Sequence, residues 1–160
     1  MKSSVYPIAA MQDEQNLICY ANYYLIGSLR NPRVPEIAQK LRAAGIPIFD
    51  DWYAAGWQAD DYWQEYEVGR GRSFAQALDG YAANHVYEFD KSHLDRSQGG
   101  IMVMPTGKSG HLELGYLIGQ GKPGYILMDG EPERFDVMYR FARKVCFDLD
   151  ELIAELLRVD

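Results

Sequence analysis

Residues 100–122 read GIMVMPTGKSGHLELGYLIGQGK. Ile101 to Met104 is a short apolar run closed by Pro105, and Thr106-Gly107-Lys108-Ser109-Gly110 follows it. Apolar residues then recur at helical spacing around one carboxylate, Glu113. That is the pattern of a buried strand, a small-residue loop and a helix start. Ser109 is placed to cap the helix through its hydroxyl, which puts Gly110, His111, Leu112 and Glu113 in the first turn. Backbone N–H groups in a first turn are unpaired and favour an anion. A strand end opening onto a helix N-terminus is also where open α/β sheets hold their ligands. On this stretch alone, Glu113 reads as a carboxylate that complements the helix dipole.

The flanking chain repeats the alternation. Residues 20–26 are aromatic and β-branched and stop at Gly27-Ser28, a first strand and its turn. Val34, Ile37, Ala38 and Leu41 form one apolar face from about 33 to 44, with Pro32 and Pro35 near the start and Gly45 as the stop. A second strand, 46–49, ends at Asp50-Asp51. A helix starts at Ser73 and runs to about Phe89; Asp90 follows it, and a second short helical segment spans 92–97. Strands at 101–104, 124–128 and 145–149, a short helix at 138–142 and a closing helix at 151–158 capped by Asp150 complete the series. The expected fold is α/β: one doubly wound, five-stranded parallel sheet of flavodoxin-like order, with the crossovers right-handed.

Residues 51–72 interrupt this pattern with three Trp, three Tyr and a cluster of acids. They read as a partly helical insertion after strand two, forming a lid or wall. Such aromatics pack against a neighbour or a subunit interface; Trp52, Tyr53 and Trp57 also offer flat faces on which a base could stack.

With 160 residues, 48% of them hydrophobic, the chain suits one domain, 20–160, preceded by an arm at 1–19. A net charge of −7 argues against a polymeric nucleic-acid partner. Cys19 and Cys146 form no ligand grouping or disulfide framework, so no metal and no cofactor is expected, and a reducing, cytoplasmic setting fits. No signal peptide or membrane span is read. The three histidines lack metal-ligand spacing, and no nucleophile elbow is present.

In this topology the ends of strands one to four converge on one crevice. They deliver Gly27-Ser28-Leu29-Arg30, then Asp50-Asp51-Trp52, then the 105–113 loop with Gly107, Lys108, Ser109 and Glu113, and finally Asp129. A small-residue turn with an arginine can hold an anion. The Lys108-Ser109 loop lacks phosphate-loop spacing, which disfavours a nucleoside triphosphatase. Asp90 precedes strand three and can reach the same crevice; alternatively it caps the FDKSHLD turn. Two carboxylates around a sugar C1 are the apparatus of glycosyl transfer.

At this point the chain resembles a known family. Gly110-His-Leu-Glu-Leu-Gly-Tyr-x-x-Gly-Gln-Gly-Lys122 is similar to the signature of the nucleoside 2-deoxyribosyltransferase superfamily, in which a helix carries Glu-Leu-Gly and the glutamate attacks C1′. Gly27-Ser28-Leu29-Arg30 resembles the Gly-Ser-Ile-Arg turn of its deoxynucleoside 5′-monophosphate N-hydrolase members. The resemblance spans about 20–158. It implies Glu113 as nucleophile, Asp90 as the partner that orients or protonates, and Tyr23 or Tyr24 as a tyrosine beside the nucleophile. Gly27, Ser28, Arg30, Asp51, Trp52, Gly107 and Ser109 are the implied substrate contacts. Six residues before the glutamate, members carry Asp or Ser; Gly107 stands here, so Ser109 takes over or the 5′ contact differs. The expected partners are a small-molecule nucleoside or nucleotide and further copies of the chain in a homo-oligomer. The alternatives are a non-catalytic nucleotide-binding sensor and a pure N-glycoside hydrolase acting on nucleoside monophosphates.

Overall fold

The computed structural model describes residues 22–158. The arm expected at 1–19 and the first residues of the strand expected at 20–26 lie outside them. Five strands, β1 (Tyr23–Ile26), β2 (Ile48–Phe49), β3 (Gly99–Val103), β4 (Gly124–Leu127) and β5 (Lys144–Cys146), pair in parallel in the order β2-β1-β3-β4-β5. Six α-helices flank them: α1 (Arg33–Ala43), α2 (Ala59–Gly69), α3 (Phe74–Leu78), α4 (Tyr81–Arg96), α5 (Lys108–Gly119) and α6 (Leu149–Leu156). Two 3-10 turns, Asp51–Ala55 and Val137–Phe141, complete the described residues. The flavodoxin-like arrangement expected from the sequence is therefore the one adopted.

The sheet is buried on both faces because its central strands are apolar at successive positions, and strand geometry sends neighbours to opposite sides. Leu25, Ile101, Val103, Tyr125 and Leu127 pack with Val34, Ile37, Leu41 and Leu152 from α1 and α6. Tyr24, Ile26, Met102 and Ile126 pack with Leu94, Leu114 and Leu117 from α4 and α5. That second layer carries the candidate chemistry. Glycine lets α5 lie close to the sheet: a Cβ on Gly100 would stand 2.6 Å from Leu117 Cδ1. Overpacking of that kind costs about 1–3 kcal/mol.

Local details differ from the sequence reading. The helix expected from Ser73 to about Phe89 is two. Ser73 does cap α3, in a reciprocal pair with Gln76, but the chain breaks at Asp79-Gly80 and restarts. The second of the two, α4, then runs unbroken to Arg96, so Asp90 lies mid-helix and neither follows a helix nor caps a turn. Helix α5 begins at Lys108 with Gly107 at its N-cap and no side-chain cap. Ser109 is therefore the second helical residue, and Glu113 falls in the second turn. Asp148, accepting from the Glu151 N–H, caps α6 in place of Asp150. The short helix expected at 138–142 is the 3-10 turn Val137–Phe141. The insertion is partly helical, as expected: a 3-10 turn leads into α2, whose buried Glu67 pairs with Arg72 at 3.2 Å.

Candidate active site

Three elements bring Tyr24, Asp90 and Glu113 together. The chain leaves β1 in one direction to make β2 and returns on the other side as β3, so the order reverses at β1 and β3. Tyr24 is the second residue of β1 and faces the α4/α5 layer, with 1% of its surface exposed. Its neighbour Tyr23 points to the opposite face and packs edge-on against Tyr125. The structure thus separates the two tyrosines that the sequence left open. Asp90 and Glu113, both partly buried, approach from α4 and α5.

Their electrostatics are coupled. Glu113 is pushed up to about 8, first by burial and then by the Asp90 charge. Asp90 is also raised by burial, and a hydrogen bond donated by the Tyr24 hydroxyl opposes that shift. Tyr24 is driven well above the usual phenol range by burial, by both carboxylates and by its bond to Asp90, so it stays protonated. A glutamate serving a helix dipole would be more acidic than usual, not less. Glu113 also stands in the second turn of α5, beyond the first turn over which the helix dipole acts. Desolvation and a like charge on a second carboxylate are the conditions under which one carboxyl holds a proton near neutral pH.

The loops at the sheet's C-terminal edge are tied to one another. Gly27 sits where a Cβ would meet Val34 Cγ2 at 2.9 Å and Trp52 Cη2 at 3.7 Å, so the turn admits no side chain there. Ser28 Oγ accepts from the Arg30 N–H at 3.1 Å, and the Ser28 carbonyl accepts from the Asn31 N–H at 3.0 Å. Two of the turn's N–H groups are thus engaged within the turn itself. The Arg30 guanidinium reaches both carboxylate oxygens of Asp61 on α2, each at 2.9 Å. This exposed pair joins the expected anion-binding turn to the aromatic insertion.

Trp52 donates its indole N–H to the Leu25 carbonyl at 2.7 Å, and the Tyr53 hydroxyl donates to the Asn31 carbonyl at 3.3 Å. These two aromatics are built into the wall, whereas Trp57 stays 61% exposed. Asp51 begins the 3-10 turn and is exposed, as is Asp129 just beyond β4. Around Gly107 there is open space, with no atom within 4 Å of a notional Cβ. Ser109 is exposed on the first turn of α5.

Sequence reasoning passed over two sets of residues. Asn31 is 4% exposed; its side chain accepts from the Arg33 N–H and donates to the Pro105 carbonyl, while Arg33 donates to the Met104 carbonyl at 2.8 Å. Together they lock the β1 loop to the β3 loop. On the other flank Phe49 stacks on His93 at 3.9 Å, with Phe89 edge-on to the same ring. His93 lies one helical turn beyond Asp90, and burial lowers its pKa. A histidine three residues after the aspartate on one helix was the available signal.

His111, two residues before Glu113, lies on the other flank of α5. There it bonds the Gly107 carbonyl and the Tyr139 hydroxyl, both at 2.8 Å. A cavity of about 390 Å³ opens beside it, lined by Leu114, Ile118, Ile126 and Met138 among others; Glu113, Asp90 and Tyr24 do not line it. The carboxylate pair, rather than this apolar hollow, is the candidate site, because there burial and a like charge raise Glu113 beside a second carboxyl group. Among the described residues no three His, Cys, Asp or Glu side chains are grouped to hold a metal ion, and no helix is long and apolar enough to cross a membrane. No family model and no curated protein matches the chain.

Proposed function

We propose that the protein cleaves or exchanges the N-glycosidic bond of a (deoxy)nucleoside or nucleoside 5′-monophosphate through a covalent glycosyl-glutamate at Glu113. The observation that carries this reading is the coupled trio of Tyr24, Asp90 and Glu113 at the sheet's switch point. The resemblance of residues 110–122 to the nucleoside 2-deoxyribosyltransferase signature supports it.

Near neutral pH the two carboxyls hold one proton between them. At rest that proton sits on Glu113; its transfer to Asp90 leaves Glu113 a carboxylate whose oxygen attacks C1′. The C1′–N bond breaks, its electron pair goes to the base, and Asp90 supplies the proton the base needs to leave. In the second half a free base or a water attacks C1′. Asp90, now ionised, takes the incoming group's proton, and the C1′–O bond to Glu113 breaks to restore the carboxylate. Tyr24 remains an O–H donor throughout and keeps Asp90 oriented. Ser28, Arg30, Gly107 and Ser109 rim the side from which a 5′-phosphate would enter; for Arg30 to bind it, the contact with Asp61 must open. Asp51 and Trp52 form the wall on the base side.

Incubation with a panel of nucleosides and monophosphates plus an excess of a second free base tests this reading. A new nucleoside is the result expected of a transferase, and free sugar alone is that of a hydrolase. Thermal stabilisation by nucleotide with no product from any substrate would leave a binding sensor in its place.

The same reading includes a homo-oligomer in a reducing, cytoplasmic setting. Phe74, Leu78, Tyr81, Val86 and Phe89 on the neighbouring helices α3 and α4 are 43–92% exposed, and apolar side chains gathered in this way suit an interface with a second copy. Sedimentation equilibrium is expected to give at least a dimer, and a concentration-independent monomer would reject it.

A further inference from the structure

The two carboxylates stand on different helices, and a polar clamp joins those helices one turn further along. On α4, the Asp95 carboxylate accepts from the Tyr116 hydroxyl at 2.5 Å and from Gln120 Nε2 at 3.1 Å, both on or just beyond α5. It also accepts from Lys91 Nζ at 2.7 Å on its own helix. Lys122 closes the cluster, donating to the carbonyls of Leu94 at 3.1 Å and Asp95 at 2.8 Å and so satisfying the open C-terminus of α4. Lys91 Nζ also lies 5.8 Å from the centre of the Tyr116 ring. Tyr116 is three residues beyond Glu113 and shares its flank of α5, while Asp95 is five beyond Asp90.

The apolar contacts between these helices, Leu94 with Leu114 and Leu117, are non-directional and resist separation more than axial slip. Hydrogen bonds are directional. We propose that the Asp95–Tyr116 clamp fixes the axial register of α4 against α5 and thereby sets Glu113 against Asp90. Asp95 and Tyr116 are then positioning residues for the reactive pair. This rests on the reading of Glu113 and Asp90 as that pair.

Asp95 suits the role because hydrogen bonds from Lys91 and Tyr116 hold it down at about 2, so it stays ionised wherever the protein works. The titratable groups acting on Glu113 among the described residues are Asp90 from α4 and Tyr24 from β1, and the facing strand β3 offers apolar Met102. Slackening the clamp lets water in and moves Asp90 away. Both changes lower the Glu113 pKa.

The test is a carbon-13 titration of the Glu113 carboxyl in the wild type and in Tyr116→Phe, which removes one oxygen and keeps the ring. The midpoint is expected to fall by about half a unit or more, with kcat down about tenfold and KM within about twofold, as for a small misplacement of reacting groups. A folded Tyr116→Phe with an unchanged midpoint overturns the proposal. Should that variant fail to fold, Gln120→Leu removes another donor to the same carboxylate at its exposed rim. A downward shift there supports the clamp and an unchanged midpoint rejects it. The titration needs no turnover. A protein inactive on every nucleoside whose midpoint still shifts would therefore keep the clamp and remove the reaction.

Discussion

Glu113→Gln is expected to lower base release or exchange by at least about 10³-fold, because amide oxygen is a poor nucleophile and the covalent route closes with it. The same variant is expected to gain stability at alkaline pH. In the fold Glu113 titrates at about 8 against an ordinary 4.5. Below pH 4.5 the folded and unfolded chains both hold its proton, and its contribution to stability is complete. Between 4.5 and 8 the unfolded chain ionises first, so stability falls as pH rises; above 8 the loss is complete. After allowance for partial solvent access, this amounts to about 2–4 kcal/mol in the wild type. Glutamine carries no proton to lose. Its Tm is expected to match the wild type at pH 5 and to exceed it by about 5–10 °C at pH 9. Parallel melting curves across that range would show that Glu113 is not held protonated.

Asp90→Asn is expected to cost about 10²–10³ in rate, the usual worth of a positioned proton donor. The asparagine carbonyl can still accept from Tyr24, so orientation survives while acidity does not. A 7-alkylpurine nucleoside, whose base departs without being protonated, should lose far less rate than an ordinary purine nucleoside. The Glu113 midpoint should also fall, since the like charge beside it is gone. Equal losses on both substrates would remove Asp90 from the proton's path and leave it a structural role only.

The fold was legible because two periodicities alternate along the chain. Apolar runs such as 101–104 and 124–128 are too short for helices, and Val34, Ile37, Ala38 and Leu41 lie on one helical face. What local sequence lacked was context. Aspartate is a poor helix former, and FDKSHLD carries turn-like residues, so Asp90 read as a boundary. Packing of α4 against the sheet overrides that preference and holds it mid-helix. Ser109 looked like a cap, yet the helix starts two residues earlier than that cap would place it, at Lys108 behind Gly107, with no side chain to announce it. Tyr23 and Tyr24 were indistinguishable because a strand buried on both faces shows no polar alternation. The Arg30–Asp61 pair spans 31 residues and leaves no local trace. Of the site, Glu113 and Asp90 stood out as carboxylates able to reach one crevice, and only the resemblance implied their roles. Their mutual electrostatics came only with the fold.

The proposed reaction passes through a covalent bond between Glu113 and C1′. It is tested most directly by mass spectrometry of protein quenched during turnover of a 2′-fluoro nucleoside, whose electron-withdrawing substituent slows both chemical steps. The expected result is protein heavier by one fluorinated glycosyl group, located by peptide mapping on Glu113 and absent from Glu113→Gln. Base release at full stoichiometry with no adduct, or an adduct on any other residue, would contradict it.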